Sequence, residues 1–244
     1  MSTVQLTFGS LFAGIGGFDL GLERAGLHCE WQVEIDDFAT RVLKKHWPDV
    51  QRGRDVRHWP EAGTKSVDVV AAGFPCKQTS VGAAIHGRRT GLAGKDSGLF
   101  HELVRVLPLV GARALVMENV AGAKSYQAEI KRCLASVGYI IDEQPFRLSA
   151  EDLGAPHRRW RLFWFAHRDE PGLQIARLTE SFEAFRQARR TFNRDAWLPT
   201  LPRGLRVDDG VPGRVDRRQR IIACGNAFMP QKAEMIGQWL KTVM

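Results

Sequence analysis

The chain has 244 residues, enough for one sizeable core with or without a small satellite. With 44% hydrophobic and 25% charged residues it has the composition of a globular protein, and no apolar run reaches the length of a membrane span. A formal net charge of +8 favours a polyanionic partner, and four scattered cysteines (Cys29, Cys76, Cys133, Cys224) with no C-x-x-C pair argue against a zinc cluster or a disulfide scaffold.

In chain order, Gln5–Phe12 reads as a strand, Gly17–Ala25 as a helix, Cys29–Ile35 as a second strand and Phe38–His46 as a helix. Val67–Ala72 follows as a buried strand, then a helix near Phe100–Pro108 and an apolar strand, Ala114–Met117. Ile130, Cys133, Leu134 and Val137 recur at helical spacing and make one apolar stripe. Arg159–Ala166 is strand-like again. This alternation predicts an α/β fold with a mostly parallel, mixed sheet covered by helices on both faces. From His167 to about Ile221 the composition changes. Between Arg186 and Arg220 there are ten arginines, no lysine and four aspartates. Charge alone leaves two readings open, a nucleic-acid contact or a solvated basic face. Ala233, Ile236, Leu240 and Val243 then predict a final helix that packs back on the main domain. The expected division is 1–166 as the catalytic and cofactor-binding domain, 167–221 as a short recognition region and 222–244 as a returning segment.

The first strand-to-helix turn is Phe12-Ala13-Gly14-Ile15-Gly16-Gly17. Glycines here allow close backbone approach to a ligand at the carboxyl end of the strand. A dinucleotide fingerprint needs glycine where Asp19 stands, and a phosphate loop ending at Gly94-Lys95 needs glycine where Arg89 stands, so neither fits. Glu34, ending the second strand, can accept both hydroxyls of a ribose, and Asp55 can accept from an adenine amino group. Together these support an adenosine-containing cofactor.

Four further segments carry chemistry. Pro75-Cys76-Lys77-Gln78-Thr79-Ser80 directly follows the buried strand Val67–Ala72, at the sheet edge where ligands bind. Glu118-Asn119-Val120 follows the strand Ala114–Met117. Strand alternation puts Arg159 and Arg161 on one face, and Gly225-Asn226-Ala227 precedes the last helix. In this order and spacing the segments resemble the DNA cytosine-5 methyltransferase family of bacterial and phage type. The match runs through Phe12, Gly14 and Gly16, Pro75-Cys76 with Ser80, Glu118-Asn119-Val120, Arg159 and Arg161, Gly225-Asn226-Ala227, and the helix start Lys95–Phe100. Two positions depart from the pattern: Lys77 and His157 each stand where the family usually has glutamine.

The resemblance implies a Rossmann-like class I S-adenosylmethionine-dependent methyltransferase domain with a small target-recognition module. It implies methyl transfer from S-adenosylmethionine, giving S-adenosylhomocysteine, to carbon 5 of a cytosine flipped out of duplex DNA. Cys76 attacks carbon 6, Glu118 binds the ring nitrogen and exocyclic amine, Arg161 holds O2, and Arg159 supports a phosphate or Glu118. The cofactor lies against Phe12, which stacks on its adenine, and against Gly14, Ile15, Gly16, Gly17 and Ile35, with Glu34 at the ribose and Asp55 and Val56 beside the adenine amino group. Pro75, Leu99, Asn226 and Ala227 complete that site. Lys77, Ser80 and the glycine-rich stretch with Arg88 and Arg89 contact DNA. A monomer in the cytoplasm of a bacterium, near its nucleoid and encoded by the host or a phage, is expected; self-protection beside a cognate restriction endonuclease that is not a stable subunit, phage evasion of host nucleases and regulation all fit. No metal is expected. An RNA-directed relative would carry a Cys-Phe-Thr motif, and no cysteine here precedes phenylalanine. A silent DNA-binding relative would lack the cysteine or the glutamate, and a small-molecule methyltransferase leaves the basic region unexplained.

Overall fold

The structure, a computed structural model of the chain, describes residues 5–74, 98–120, 126–142, 144–153, 160–169, 178–188 and 228–244. Strands β1 (Thr7–Leu11), β2 (His28–Val33), β3 (Gln51–Gly53), β4 (Val69–Ala72), β5 (Ala114–Asn119), β6 (Tyr139–Ile141), β7 (Phe146–Leu148) and β8 (Arg161–Arg168) form one sheet. Its order is β3-β2-β1-β4-β5-β8-β6, with β7 also paired to β8. The pairs among β1 to β5 are parallel, whereas β8 runs antiparallel to β5, β6 and β7. The helices are α1 (Gly17–Arg24), α2 (Asp37–His46), α3 (Leu99–Leu109), α4 (Gln127–Ala135), α5 (Leu178–Ala188) and α6 (Pro230–Val243).

Two apolar layers flank this sheet because the middles of its inner strands send apolar side chains to both faces. Along β4, Val69 and Ala71 join one cluster and Val70 and Ala72 the other. Along β8, Phe163 and Phe165 join the first while Leu162 and Trp164 join the second. Period-2 alternation with both faces covered produces this division. The first layer includes residues of α1, α5 and α6; the second includes residues of α3 and α4. Helices α1 and α6 approach so closely that a Cβ on Gly21 would fall 2.1 Å from the Pro230 carbonyl oxygen.

The expected mixed, mostly parallel sheet is the one observed, and the boundaries of several elements move. The second strand ends at Val33, so Glu34 opens a loop. The expected strand Arg159–Ala166 lies at Arg161–Arg168, and His167 falls inside it. Within the stretch expected to lack periodicity, α5 buries Phe182 completely against Phe146, Phe165 and Trp239. Trp239 Nε1 donates to Ser181 Oγ at 3.1 Å, so α5 packs into the main core through α6. Arg186, the first arginine of the basic run, pairs with Glu183 at 2.5 Å and Asp152 at 3.7 Å instead of facing outward unpaired.

Candidate active site

Strand order reverses at β1: β2 and β3 lie on one side of it, β4 and β5 on the other. In an open α/β sheet the crevice outside such a switch point is where ligands bind. The sequence-predicted residues that the structure describes fall along this carboxyl edge in two groups.

The first group lies at the ends of β1, β2 and β3. After Leu11 the chain turns through Phe12, a non-glycine residue held at φ 57°, a left-handed conformation that costs energy and concentrates at functional sites. Ala13 N donates to Val33 O at 3.1 Å, tying the turn to the end of β2. Gly16, at φ 84°, starts α1, and a Cβ there would fall 2.5 Å from the Trp47 ring, so glycine is required on both counts. A Cβ on Gly14 would meet nothing within 4 Å, which leaves the space over the turn open to a ligand. Ile15 is partly exposed beside it.

Glu34 joins this turn to the next loop. Its Oε2 accepts from Gly14 N at 2.7 Å and its Oε1 from Asp36 N at 2.8 Å. Both oxygens keep acceptor capacity for hydroxyl groups. Ile35 projects beside it at 62% exposure. Asp55 caps the short 3-10 turn Val56–His58, accepting from Arg57 N at 3.0 Å and pairing with the Arg57 guanidinium at 2.5 Å. Hydrogen bonding from Arg57 holds the Asp55 carboxyl down at about 2. Val56 turns its side chain into the core, while its carbonyl accepts from Arg105 Nη2 at 2.8 Å. Arg105 also reaches Trp59 O, at 2.7 Å, and so pins the Asp55 loop to α3. Sequence reading missed this arginine, since nothing in a lone helical arginine marks it as a strut. Leu99, at the start of α3, packs against the same core layer.

The second group lies at the ends of β4 and β5 and the start of β8. Antiparallel pairing sets Asn119 opposite Leu162, which brings Arg161 to the end of β5. There Arg161 Nε meets Glu118 Oε1 at 2.6 Å, with the two side chains only 20% and 15% exposed. Glu118 Oε2 lies 3.5 Å from where a Cβ on Gly73 would sit, so the acid overlies the end of β4. Asn119, buried, donates from Nδ2 to Phe74 O at 3.3 Å and accepts from Val120 N at 2.7 Å. It thereby stitches the end of β5 to the residue two before Cys76. The resemblance implies Arg161 at O2 of the base and Arg159 at a phosphate or at Glu118; in the structure Arg161 itself pairs with Glu118.

Pro75, Cys76, Lys77, Ser80, Arg88, Arg89, Arg159, Asn226 and Ala227 lie outside the described residues. Their flanks are placed, however. Phe74 is buried against Phe100, and Phe228 stacks on Phe18 at 3.9 Å, with its carbonyl against Gly17. The two described cysteines are poor nucleophiles. Burial pushes the Cys29 thiol far up and also raises that of the half-exposed Cys133. Among the described residues no group of three His, Cys, Asp or Glu side chains could hold a metal ion.

Comparison with known proteins points the same way. The sequence profile of the family described as C-5 cytosine-specific DNA methylase matches residues 6–196. Type II methyltransferase M.HhaI of Haemophilus parahaemolyticus is 29% identical over 199 residues, covering 80% of this chain and 57% of that protein. Type II methyltransferase M.Eco47II of Escherichia coli is 36% identical over 169 residues, covering 66% of this chain and 39% of its own length. The chain thus spans about half the length of the curated relatives it matches. Among solved structures, a prophage-encoded E. coli protein assigned to the DNA modification methyltransferases aligns with TM-score 0.58 and 26% identity, over 73% of this chain and 50% of that one. Spodoptera frugiperda DNMT2 shares the fold, with TM-score 0.54 and 21% identity over 71% of this chain and 53% of its own.

Proposed function

The chain belongs to the C-5 cytosine-specific DNA methylase family, and from that membership we propose that it methylates carbon 5 of cytosine in a short duplex DNA sequence, with Cys76 as nucleophile. The observation that carries the reading is the Glu118–Arg161 pair at the end of β4, beside the segment that leads into Cys76. An acid held there by a guanidinium is ready to engage a cytosine edge while the thiolate attacks from the neighbouring strand end.

The open turn at Gly14 and the spare acceptor capacity of Glu34 fit S-adenosylmethionine, with Phe12 and Ile35 at the adenine and Glu34 at the ribose. Asp55 and Val56 border the adenine amino group, and Asp55 does so as a carboxylate already anchored by Arg57. Ile15, Gly16 and Gly17 floor the site, and Pro75, Leu99, Asn226 and Ala227 close it. When bound, this cofactor supplies the methyl group. The chain's own residues prepare the base. Cys76 Sγ forms a bond to C6, and the electron pair displaced from the C5–C6 double bond makes C5 nucleophilic. Glu118 meets N3 and the exocyclic amine and shares a proton with N3 as charge builds there, and Arg161 keeps that acid in place. Once C5 carries the methyl group, a base removes its proton, the double bond re-forms and Cys76 leaves as thiolate.

A base stacked in a duplex cannot reach these groups, so the cytosine must be flipped out. Lys77, Ser80, Arg88 and Arg89 are proposed to contact the DNA, as is the arginine-rich stretch beyond α5. Because α5 packs into the main core, the DNA-contacting part of the region 167–221 is proposed to be the stretch beyond Ala188. No described helix is long and apolar enough to cross a membrane. A monomer acting on nucleoid DNA, alone or beside a separate endonuclease of the same specificity, fits this picture.

Transfer from labelled S-adenosylmethionine to duplex DNA, followed by bisulfite sequencing, tests the reading. Protected cytosines in one short context, absent with Cys76→Ala, are the expected result. A folded, cofactor-binding protein that labels no DNA contradicts it.

A further inference from the structure

Asp19 is a buried acid that the reaction described above does not use. It lies in the first turn of α1 with no exposed surface. Its Oδ2 accepts from Ser10 Oγ at 3.3 Å and its Oδ1 from Gln32 Nε2 at 2.9 Å, with Cys29 Sγ at 3.8 Å. These partners are all neutral, and a buried carboxylate without a cation beside it is costly. Asparagine would fill the same volume, accepting from Gln32 through its oxygen and donating to Ser10 through its nitrogen. Packing and hydrogen bonding alone therefore do not call for an acid here.

Its position suggests what does. Ser10 stands two residues before Phe12 on β1, Gln32 two before Glu34 on β2, and Asp19 two after Gly17 on α1. One carboxylate thus joins the three segments that carry the cofactor contacts, while Glu34 separately ties the Gly14 turn to the end of β2 through Gly14 N. Resting on the function proposed above, we propose that Asp19 is a positioning residue for S-adenosylmethionine: through Ser10 and Gln32 its ionised carboxylate fixes the spacing between the Gly14–Gly17 turn and Glu34. A proton on Oδ2 turns Ser10 from donor to acceptor and leaves Gln32 donating to a neutral carbonyl, so protonation keeps both contacts but replaces two charge-assisted bonds with weaker neutral ones and loosens the latch.

Burial holds the Asp19 carboxyl up at about 6, which places this loosening within reach of ordinary conditions. Facing it are Ser10 from β1, Cys29 and Gln32 from β2, and Glu23 on α1 itself. Arg52 on β3 pairs in register with Gln32, and both have buried polar atoms without a hydrogen-bond partner among the described residues. On α6, packed against α1, Lys232 and Lys241 donate to Leu148 O and Ala25 O and do not reach the acid.

Calorimetric titration with S-adenosylmethionine, without DNA, tests this between pH 7.5 and 5. Wild-type affinity is expected to weaken about fivefold across that range through proton linkage. Asp19→Asn is expected to bind several-fold more weakly at pH 7.5 and to lose the pH dependence; histidine contributions are common to both proteins and cancel. Ser10→Ala, which removes one donor to the carboxylate, should move the midpoint of the profile to higher pH, a change that a purely structural role would not produce. An Asp19→Asn protein with wild-type affinity and wild-type pH slope, or a Ser10→Ala midpoint that does not move, overturns the proposal. Wild type that binds no cofactor at any pH overturns the functional reading and this proposal together.

Discussion

The two halves of the carboxyl edge are built in different ways. The half at β1, β2 and β3 draws on one continuous stretch, from Leu11 to Asp55, and Glu34 there is held by backbone amides a few residues away in space and at most twenty in sequence. The half at β4, β5 and β8 is assembled from segments more than forty residues apart, joined among the described residues by the Glu118–Arg161 ion pair and buried Asn119. The first half is thus held mainly by turn and strand-end contacts within that stretch, with Arg105 of α3 bracing the Asp55 loop. The second exists only once β8 has folded back against β5. A change in the first half should therefore alter ligand affinity in place, whereas a change in the second should disturb both chemistry and assembly.

Glu118→Gln gives the largest effect expected from that contrast. It keeps the shape but removes the proton-sharing acid and the charge facing Arg161, so methyl transfer should fall about 10²–10⁴-fold with cofactor affinity unchanged. Single-turnover rates beside a cofactor titration check this; a matching loss of cofactor affinity would mean that the halves are not separable. Glu34→Gln should do the reverse. Cofactor affinity falls about tenfold or more, since bonds to a charged acceptor are worth about 1.5–3 kcal/mol, while the single-turnover rate at saturation changes little. Asn119→Ala strips the stitch between β4 and β5 and leaves the Val120 amide unsatisfied. Denaturant unfolding should register a loss of about 1–3 kcal/mol.

Acid and alkaline shifts sharpen the comparison further within the first half, because its two perturbed acids act with opposite signs. Asp19, raised to about 6, lies above its unfolded value, so its stabilising contribution is complete below the unfolded value of 3.8 and is lost as pH rises through 6. Asp19→Asn should therefore raise stability at pH 8, on the order of 2 kcal/mol, even as it weakens cofactor binding. Asp55, lowered to about 2, contributes above its unfolded value of 3.8 and loses that contribution as pH falls toward 2. Arg57 is more than half exposed, so solvent screening keeps the contribution of the pair small. Thermal melts of Asp55→Asn and wild type between pH 5 and 2.5 should converge as the pH falls; curves that diverge in acid would reverse the sign assigned to this pair.

Legibility in sequence followed the same division. The glycine turn and Glu34 could be read because a turn and a strand end carry their chemistry in adjacent letters. Strands β4 and β5 could be read because burial on both faces makes Val69–Ala72 and Ala114–Met117 unbroken apolar runs. Strands β3, β6 and β7 escaped because each has three residues, too few for a period to show. Helix α5 escaped because only Phe182 and Phe185 mark its inner side amid charge. Asp19 registered only as the residue that breaks a dinucleotide fingerprint, since its burial depends on Ser10 and Gln32 arriving from two other elements. The Glu118–Arg161 contact was out of reach for the same reason: it follows from the antiparallel register of β8, which the local pattern of neither strand contains.

The central claim, that Cys76 attacks the cytosine ring beside Glu118, can be tested by trapping the adduct. Duplex DNA is made with 5-fluorocytosine in place of every cytosine, so that C5 has no proton to lose after methylation and the thioether cannot release. The account predicts a denaturation-resistant protein–DNA complex that forms only with S-adenosylmethionine present, with the base attached to the peptide containing Cys76. No such complex from a cofactor-binding protein, or attachment at Cys29, Cys133 or Cys224, would contradict it.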